Sequence, residues 1–429
     1  MNQYVELYNE IKGQLEKTAS PVLNAQREEA MRLFAERGFP SRKAERYRYT
    51  DVAAAFAPDY GLSLAPLTIK GVQYVYSIND APVDVTPYYN NIATAKGCFK
   101  TDKTDRRIKE DADALTALNT ALAHDALVVH VPRGEKAKSP IRIENILSGR
   151  QDTMIVRRVL VILEEMAEAT LLLVDHLTKD DSEAANQFLT LQVIEVVCKE
   201  GARLDMYEME ETTEQARRFS NLYIHAGRNS VVRHNSVTLT NGITRNGTDV
   251  RLCGEGAEVM LNGAVIADGQ QHVDNNTLID HQVARCTSNE LYKYVLDDKA
   301  TCAFAGRILV REDAQHTASQ ETNNNMCTSP DARMYTQPML EIYADDVKCA
   351  HGSTVGVMDS QALFYMQQRG IPEEIARMLL KNAFISNVID EMRWDSFRDR
   401  LHLLVDRRLS KDGRCGSCKI CSPSTAPQQ

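Results

Sequence analysis

What is missing from these 429 residues narrows the field first. No uncharged apolar run approaches the roughly 18 residues that a membrane-spanning helix needs. The opening stretch MNQYVELYNEIKGQLEK carries charges throughout, without the apolar centre of a secretion signal. A cytoplasmic protein with no membrane partner is therefore expected. Acidic residues outnumber basic ones, 59 against 50, for a formal net charge of −9. The broad cationic surface from which nucleic-acid binding draws its affinity is thus absent, and nucleic acid is not an expected partner. There is no GxxxxGKS/T phosphate loop, no HExxH and no GxSxG, and the GEGAEV segment at Gly254 lacks the third glycine of a dinucleotide fingerprint. An ATPase, dehydrogenase, zinc peptidase or serine hydrolase acting alone is unsupported. The ten cysteines do not read as a disulfide framework, because the cytosol keeps thiols reduced. Seven are scattered, and Cys415, Cys418 and Cys421 sit together near the end.

What is present is 43% hydrophobic residues, enough for a substantial core. Residues 1–124 read as an N-terminal helical and irregular region. Ile11 and Leu15 share one helical face, Ala30, Leu33 and Phe34 another, and Gly38 with Pro40 gives a stop signal. Beyond about residue 58 short apolar pieces such as VQYVYSI alternate with Pro, Gly and charge, with some helix near ADALTALNTALAH. Residues 125–357 change to short β-rich runs, including ALVVHV, VRRVLVIL, FLTLQVIEVV and EVMLNGAVIA. Runs restart at Ala169, Ala202, Asn229 and Ala257, at spacings of 33, 27 and 28 residues, close to one coil of a stacked β-solenoid. Two-residue hairpin turns are scarce, Asn241-Gly242 and Asn246-Gly247 being the exceptions, which favours a solenoid over a sandwich.

Residues 358–410 read as a C-terminal helical module. Asp359 can cap a helix ending at Gly370, and Pro372, Glu373 and Glu374 suit a first turn. Trp394, Phe397, Leu401, Leu404 and Val405 form an apolar stripe suited to internal packing, with a surplus that could dock a partner. Residues 411–429 form a flexible Cys-rich tail. The expected fold is mainly β, a stacked solenoid between helical regions.

The most informative segment is LEIYADDVKCAHGSTVG. In an extended strand alternate residues face one side, so Cys349 and His351 point together while Lys348 and Ala350 point away. Their Cα atoms would lie roughly 6.5 to 7 Å apart, a gap two side chains can close onto one iron or zinc ion, and Gly352 leaves room beside them. Two ligands do not complete a site. The others must come from distant parts of the chain, a small molecule or another subunit, and a buried Cys beside a structural His satisfies the same pattern. In QHVDNNTLIDH, His272, Asp274, Asp280 and His281 read as polar ladder and turn positions rather than metal ligands. The CxxCxxC array of Cys415, Cys418 and Cys421 can wrap one metal or cluster, but a closed tetrahedral site needs a fourth ligand. A redox-sensitive or dispensable tail is the other reading.

The run QPMLEIYADDVKCAHGSTVGVMDSQALFYMQQRGIPEEIARMLLKNAF resembles the signature of the SufB/SufD family. GQQHVDNNTLIDH, SNELYKYVLDDKATCAFAGRILV and AQHTASQETNNNMCTSPDA are similar to further family blocks, and SRKAERYRYTDV to the N-terminal motif. SPDARMYTQP has no cysteine where the SufB branch carries one thought to receive sulfur, and Gly352 stands where that branch has Glu. Both differences put the resemblance on the SufD side, with slight departures at Ala350 and Ser353.

The resemblance implies a right-handed parallel β-helix flanked by N-terminal and C-terminal α-helical regions. It implies a scaffold rather than an enzyme, a SufB-like paralogue as partner, and a SufC-like ATPase docked around residues 360–405. Cys349 and His351 would be cofactor-binding and metal-binding residues for a transient iron–sulfur cluster or iron at the shared interface, with nothing held by the isolated chain, which could pair with itself. The cysteine tail is not part of the family pattern. A passive β-helix interaction protein and a polysaccharide-acting β-helix enzyme are the alternatives.

Overall fold

The computed structural model describes residues 2–18, 20–64, 72–88, 113–147, 151–177 and 186–410. Successive strands of the middle region alternate between two parallel sheets. One holds Leu127–Val131, Thr153–Leu163, Phe188–Cys198, Ala216–Ala226, Ile243–Leu252, His272–His281, Thr301–Val310 and Arg333–Ile342. The other holds Ile141–Leu147, Glu168–Leu177, Arg203–Glu211, Val231–Thr240, Glu258–Ala267, Thr287–Leu296, Ala318–Cys327 and Lys348–Val357. Each strand pairs with the one two places on, as in Thr287–Leu296 against Ala318–Cys327. Eight stacked rungs of a β-solenoid result, with helices at both ends of the chain.

This stacking explains the sequence pattern. The runs at Ala169, Ala202, Asn229 and Ala257 open consecutive strands of a single sheet. Asn241-Gly242 does not turn a hairpin, because the strands it joins lie in different sheets. A Cβ on Gly242 would come 2.2 Å from the Glu214 carbonyl oxygen, so only glycine fits this crossing. Asn246-Gly247 lies inside Ile243–Leu252.

Because side chains alternate, each strand gives one face to the lumen and one to an outer layer. The lumen carries an apolar strip, including Leu171, Val196, Ile224, Val250, Leu261 and Phe304. Beside it runs a polar strip in which Asp175 accepts from Arg157 at 2.6 Å and Arg218 at 2.9 Å, while Arg218 also donates to Glu208 at 3.0 Å.

The outer layers are the terminal regions. Helices Asn2–Thr18 and Pro21–Arg37, the latter ended by Gly38 at φ 67°, pack with Ala114–Leu122 over Met154, Leu189, Leu191 and Phe219 of the first sheet. The strand Val75–Ser77, within VQYVYSI, adds antiparallel to Leu127–Val131. SRKAERYRYTDV supplies several anchors. Arg46 grips Asp249 with both terminal nitrogens, Tyr47 donates to Asp113, Thr50 donates to Asp274 at 2.6 Å, and Tyr49 stacks on Tyr335 at 4.9 Å.

On the opposite side, helices Glu373–Ile389 and Asp395–Leu409 cover the second sheet. Phe397, Leu401, Leu404 and Val405 of the predicted stripe are buried against Tyr207, Met209, Val237 and Ile266. Arg408 fixes the last turn through two 2.6 Å contacts with Asp268. Asp359 caps Ser360–Gln368 by accepting from Gln361 and Ala362 amides, but no residue of that helix is buried.

Candidate functional site

At the last rung neither sheet has a further partner among the described residues. Among the described strands, Lys348–Val357 is bonded only to Ala318–Cys327, and Arg333–Ile342 only to Thr301–Val310. Among the described residues, both outer edges therefore present a row of backbone groups without a neighbouring strand. Around this end Tyr335, Ile342, Val355 and Val357 are exposed, followed by Phe364 and Tyr365 on the uncovered helix.

Cys349 and His351 lie on that terminal strand and share the face that is interior in the preceding rungs. Beneath Cys349 come Ser319, Ser288 and Val259, and beneath His351 come Glu321, Glu290 and Leu261, all buried. Cys349 is half-buried against the cluster of Ile308, Val310 and Ala314. Burial pushes its thiol pKa up, with the Ser319 backbone opposing. His351 is exposed, and a Cβ at Gly352 would meet nothing within 4 Å.

The two columns differ in chemistry. Under Cys349 a hydrogen-bonded file leads inward: Ser319 Oγ lies 2.7 Å from Ser288 Oγ, which lies 2.9 Å from His281 Nε2. Burial lowers the His281 pKa to about 4, so its imidazole is neutral at physiological pH. Under His351 the file is acidic. Burial and the neighbouring Glu290 raise Glu321 to about 9, and burial raises Glu290 to about 7 with Thr277 opposing.

Among the described residues, no group of three or more His, Cys, Asp and Glu side chains is placed to hold a metal ion. Cys349 and His351 thus remain a pair. Cys415, Cys418 and Cys421 lie outside the described residues. The residues of QHVDNNTLIDH are divided by strand alternation and separately engaged. Thr50 meets His272 at 2.9 Å and Asp274, Arg311 pairs with Asp280 at 2.8 Å, and His281 turns inward to Ser288.

The family model described as SUF system FeS cluster assembly, SufBD core domain, matches residues 145–384, and the SufBD N-terminal region matches residues 1–81 and 78–143. The chain belongs to the SufBD family. It is 26% identical to the iron–sulfur cluster assembly protein SufD of Escherichia coli over 398 residues, covering 88% of this chain and 91% of that one. A SufBD family protein of Synechocystis is 25% identical, covering 91% and 92%. The Bacillus subtilis SufD protein is 24% identical, covering 70% and 68%.

Within this SufBD chain, sequence reasoning missed Glu290, Glu321, Ser288 and Ser319. The signal was there once three segments are stacked: SNELYKYVL, SQETNNNMC and KCAHGSTVG place Ser288, Ser319 and Cys349 in one column and Glu290, Glu321 and His351 in another. No helix among the described residues is long and apolar enough to cross a membrane.

Proposed function

We propose that this chain is a non-catalytic scaffold for iron–sulfur cluster assembly in the cytoplasm, whose open last rung pairs with a SufB-like paralogue. Cys349 and His351 then supply two of the ligands that receive iron or a nascent cluster, which is cargo rather than a resident cofactor. The observation that carries this reading is their position: a thiol and an imidazole share one face of an edge strand at the uncovered, partly apolar end of a solenoid. Thiolate and imidazole are suitable iron ligands, and a half-complete site at an open edge calls for a second chain to finish it. Edge strands pair readily with another strand, and a cluster of exposed apolar side chains adds burial to that pairing. In the isolated chain the same edge could pair with a second copy.

In this reading residues 1–124 and 358–410 brace the core at 125–357, and the helical module docks a SufC-like ATPase. Its uncovered Phe364 and Tyr365 support that assignment. ATP-driven movement of the attached subunits would open the shared interface and expose the two ligands, since a bistable interface converts subunit motion into access. The 411–429 tail, with Cys415, Cys418 and Cys421, is a further thiol source for iron.

The test of pairing is a mixing experiment with a SufB-like partner followed by size-exclusion chromatography. Val355→Glu and Val357→Arg should abolish the heterocomplex while leaving the Tm of this chain unchanged. A complex that survives both substitutions sinks the last-rung assignment.

A further inference from the structure

Buried carboxylates in this solenoid have partners: Glu195 meets Arg158, Asp280 meets Arg311, and Glu210 accepts from Thr244. Glu290 and Glu321 are exceptions. Both are fully buried, they face each other across adjacent rungs, and none of their four oxygens makes a hydrogen bond among the described residues. Thr277 Oγ1 is likewise buried and geometrically unpaired, yet near enough to Glu290 to oppose the rise in its pKa. On the facing sheet Thr277 is followed one rung on by Gly306, where a Cβ would stand 2.3 Å from Glu321 Oε1. Glycine is what leaves space for that carboxylate.

An unpaired buried charge is expensive, and two of like sign in contact more so. We propose that Glu290, Glu321 and the Thr277 hydroxyl form an internal binding site for one hard divalent cation. Carboxylate and hydroxyl oxygens, with no nitrogen or sulfur among the three groups, suit Mn²⁺, Fe²⁺ or Mg²⁺ rather than zinc or copper. The ion would neutralise both carboxylates and release the proton they hold, and it would sit in the column that ends at His351. The site is independent of the interface reading, because it needs neither Cys349 nor a partner.

The experiment is an anaerobic Mn²⁺ titration of the full-length chain followed by electron paramagnetic resonance, with thermal melting of each variant in EDTA as the check on folding. Wild type should bind one Mn²⁺ per chain, and the Cys349→Ala/His351→Ala double variant should bind it equally. Glu290→Gln and Glu321→Gln should each weaken binding by at least ~10-fold, the loss typical of removing a group that supports a metal site. Gly306→Ala, whose methyl enters the carboxylate's space, should weaken it as well. The absence of saturable binding in wild type would overturn the proposal, leaving a shared proton as the only occupant of the pair. Unchanged binding in both folded Gln variants, or loss in the Cys349/His351 variant, would also overturn it by placing the ion elsewhere.

Discussion

His351 stands one rung above Glu321, so the exposed imidazole at the open end continues a column whose next two members are fully buried carboxyl groups. A group that would face a partner is therefore supported from below by side chains whose charge the fold penalises. The consequence can be read in the pH dependence of stability.

Glu290 and Glu321 have folded pKa values of about 7 and about 9, above the roughly 4.3 of an unfolded glutamate. The folded chain keeps protons that the unfolded chain releases. Their contribution to stability is thus full below about pH 4 and is lost as pH rises through 7 to 9. Glu321→Gln, neutral throughout, should melt close to wild type at pH 5 and clearly above it at pH 9 in EDTA. A gap in Tm that does not grow with pH would contradict this account.

Cys349 should be a slow nucleophile in the isolated chain. Burial raises its pKa, so less thiolate is present at pH 8 than in an ordinary cysteine. Iodoacetamide labelling of the Cys349 peptide, followed by mass spectrometry, should be at least ~3-fold slower in the native chain than in urea. Faster labelling of the native chain would mean that the thiol is activated before any partner arrives.

The N-terminal layer is held by polar anchors as well as by packing. Arg46→Ala and Asp249→Ala should each destabilise the chain by about 1–3 kcal/mol in urea unfolding, because each leaves a partly buried charge without its partner. The double variant should lose less than the sum of the two by ~0.5 kcal/mol or more. Strict additivity would show that the contact is not formed in solution.

The C-terminal layer depends on its apolar stripe. Phe397 is buried and meets the Tyr207 ring edge-on at 5.3 Å, so Phe397→Ala should cost about 3–5 kcal/mol. Leu403, on the exposed side of the same helix, should change stability by less than about 0.5 kcal/mol when replaced by alanine.

The parts of the fold that the sequence makes legible are those governed by short-range periodicity. The Ile11 and Phe34 faces, the Asp359 cap and the Phe397 stripe all follow from helical spacing, and alternation alone puts Cys349 and His351 on one face. The solenoid repeat is legible because Ala169, Ala202, Asn229 and Ala257 open strands of the same sheet. Its period is uneven because the connections between rungs differ in length. Register between rungs is not local, so the pairing of Glu290 with Glu321 and the file from Cys349 to His281 need the stack itself. The same holds for SRKAERYRYTDV: nothing local shows that Arg46, Tyr47 and Thr50 are met by Asp249, Asp113 and Asp274.

The central claim is that Cys349 and His351 receive cluster cargo at an interface completed by another chain. The most direct measurement is the iron and sulfide content of the complex co-expressed with SufB-like and SufC-like partners, where the cell supplies both elements, and purified anaerobically. Wild type should accumulate both elements in equal amounts, and Cys349→Ala and His351→Ala should lose most of each while the complex stays intact. Equal iron and sulfide in wild type and both variants would contradict the claim.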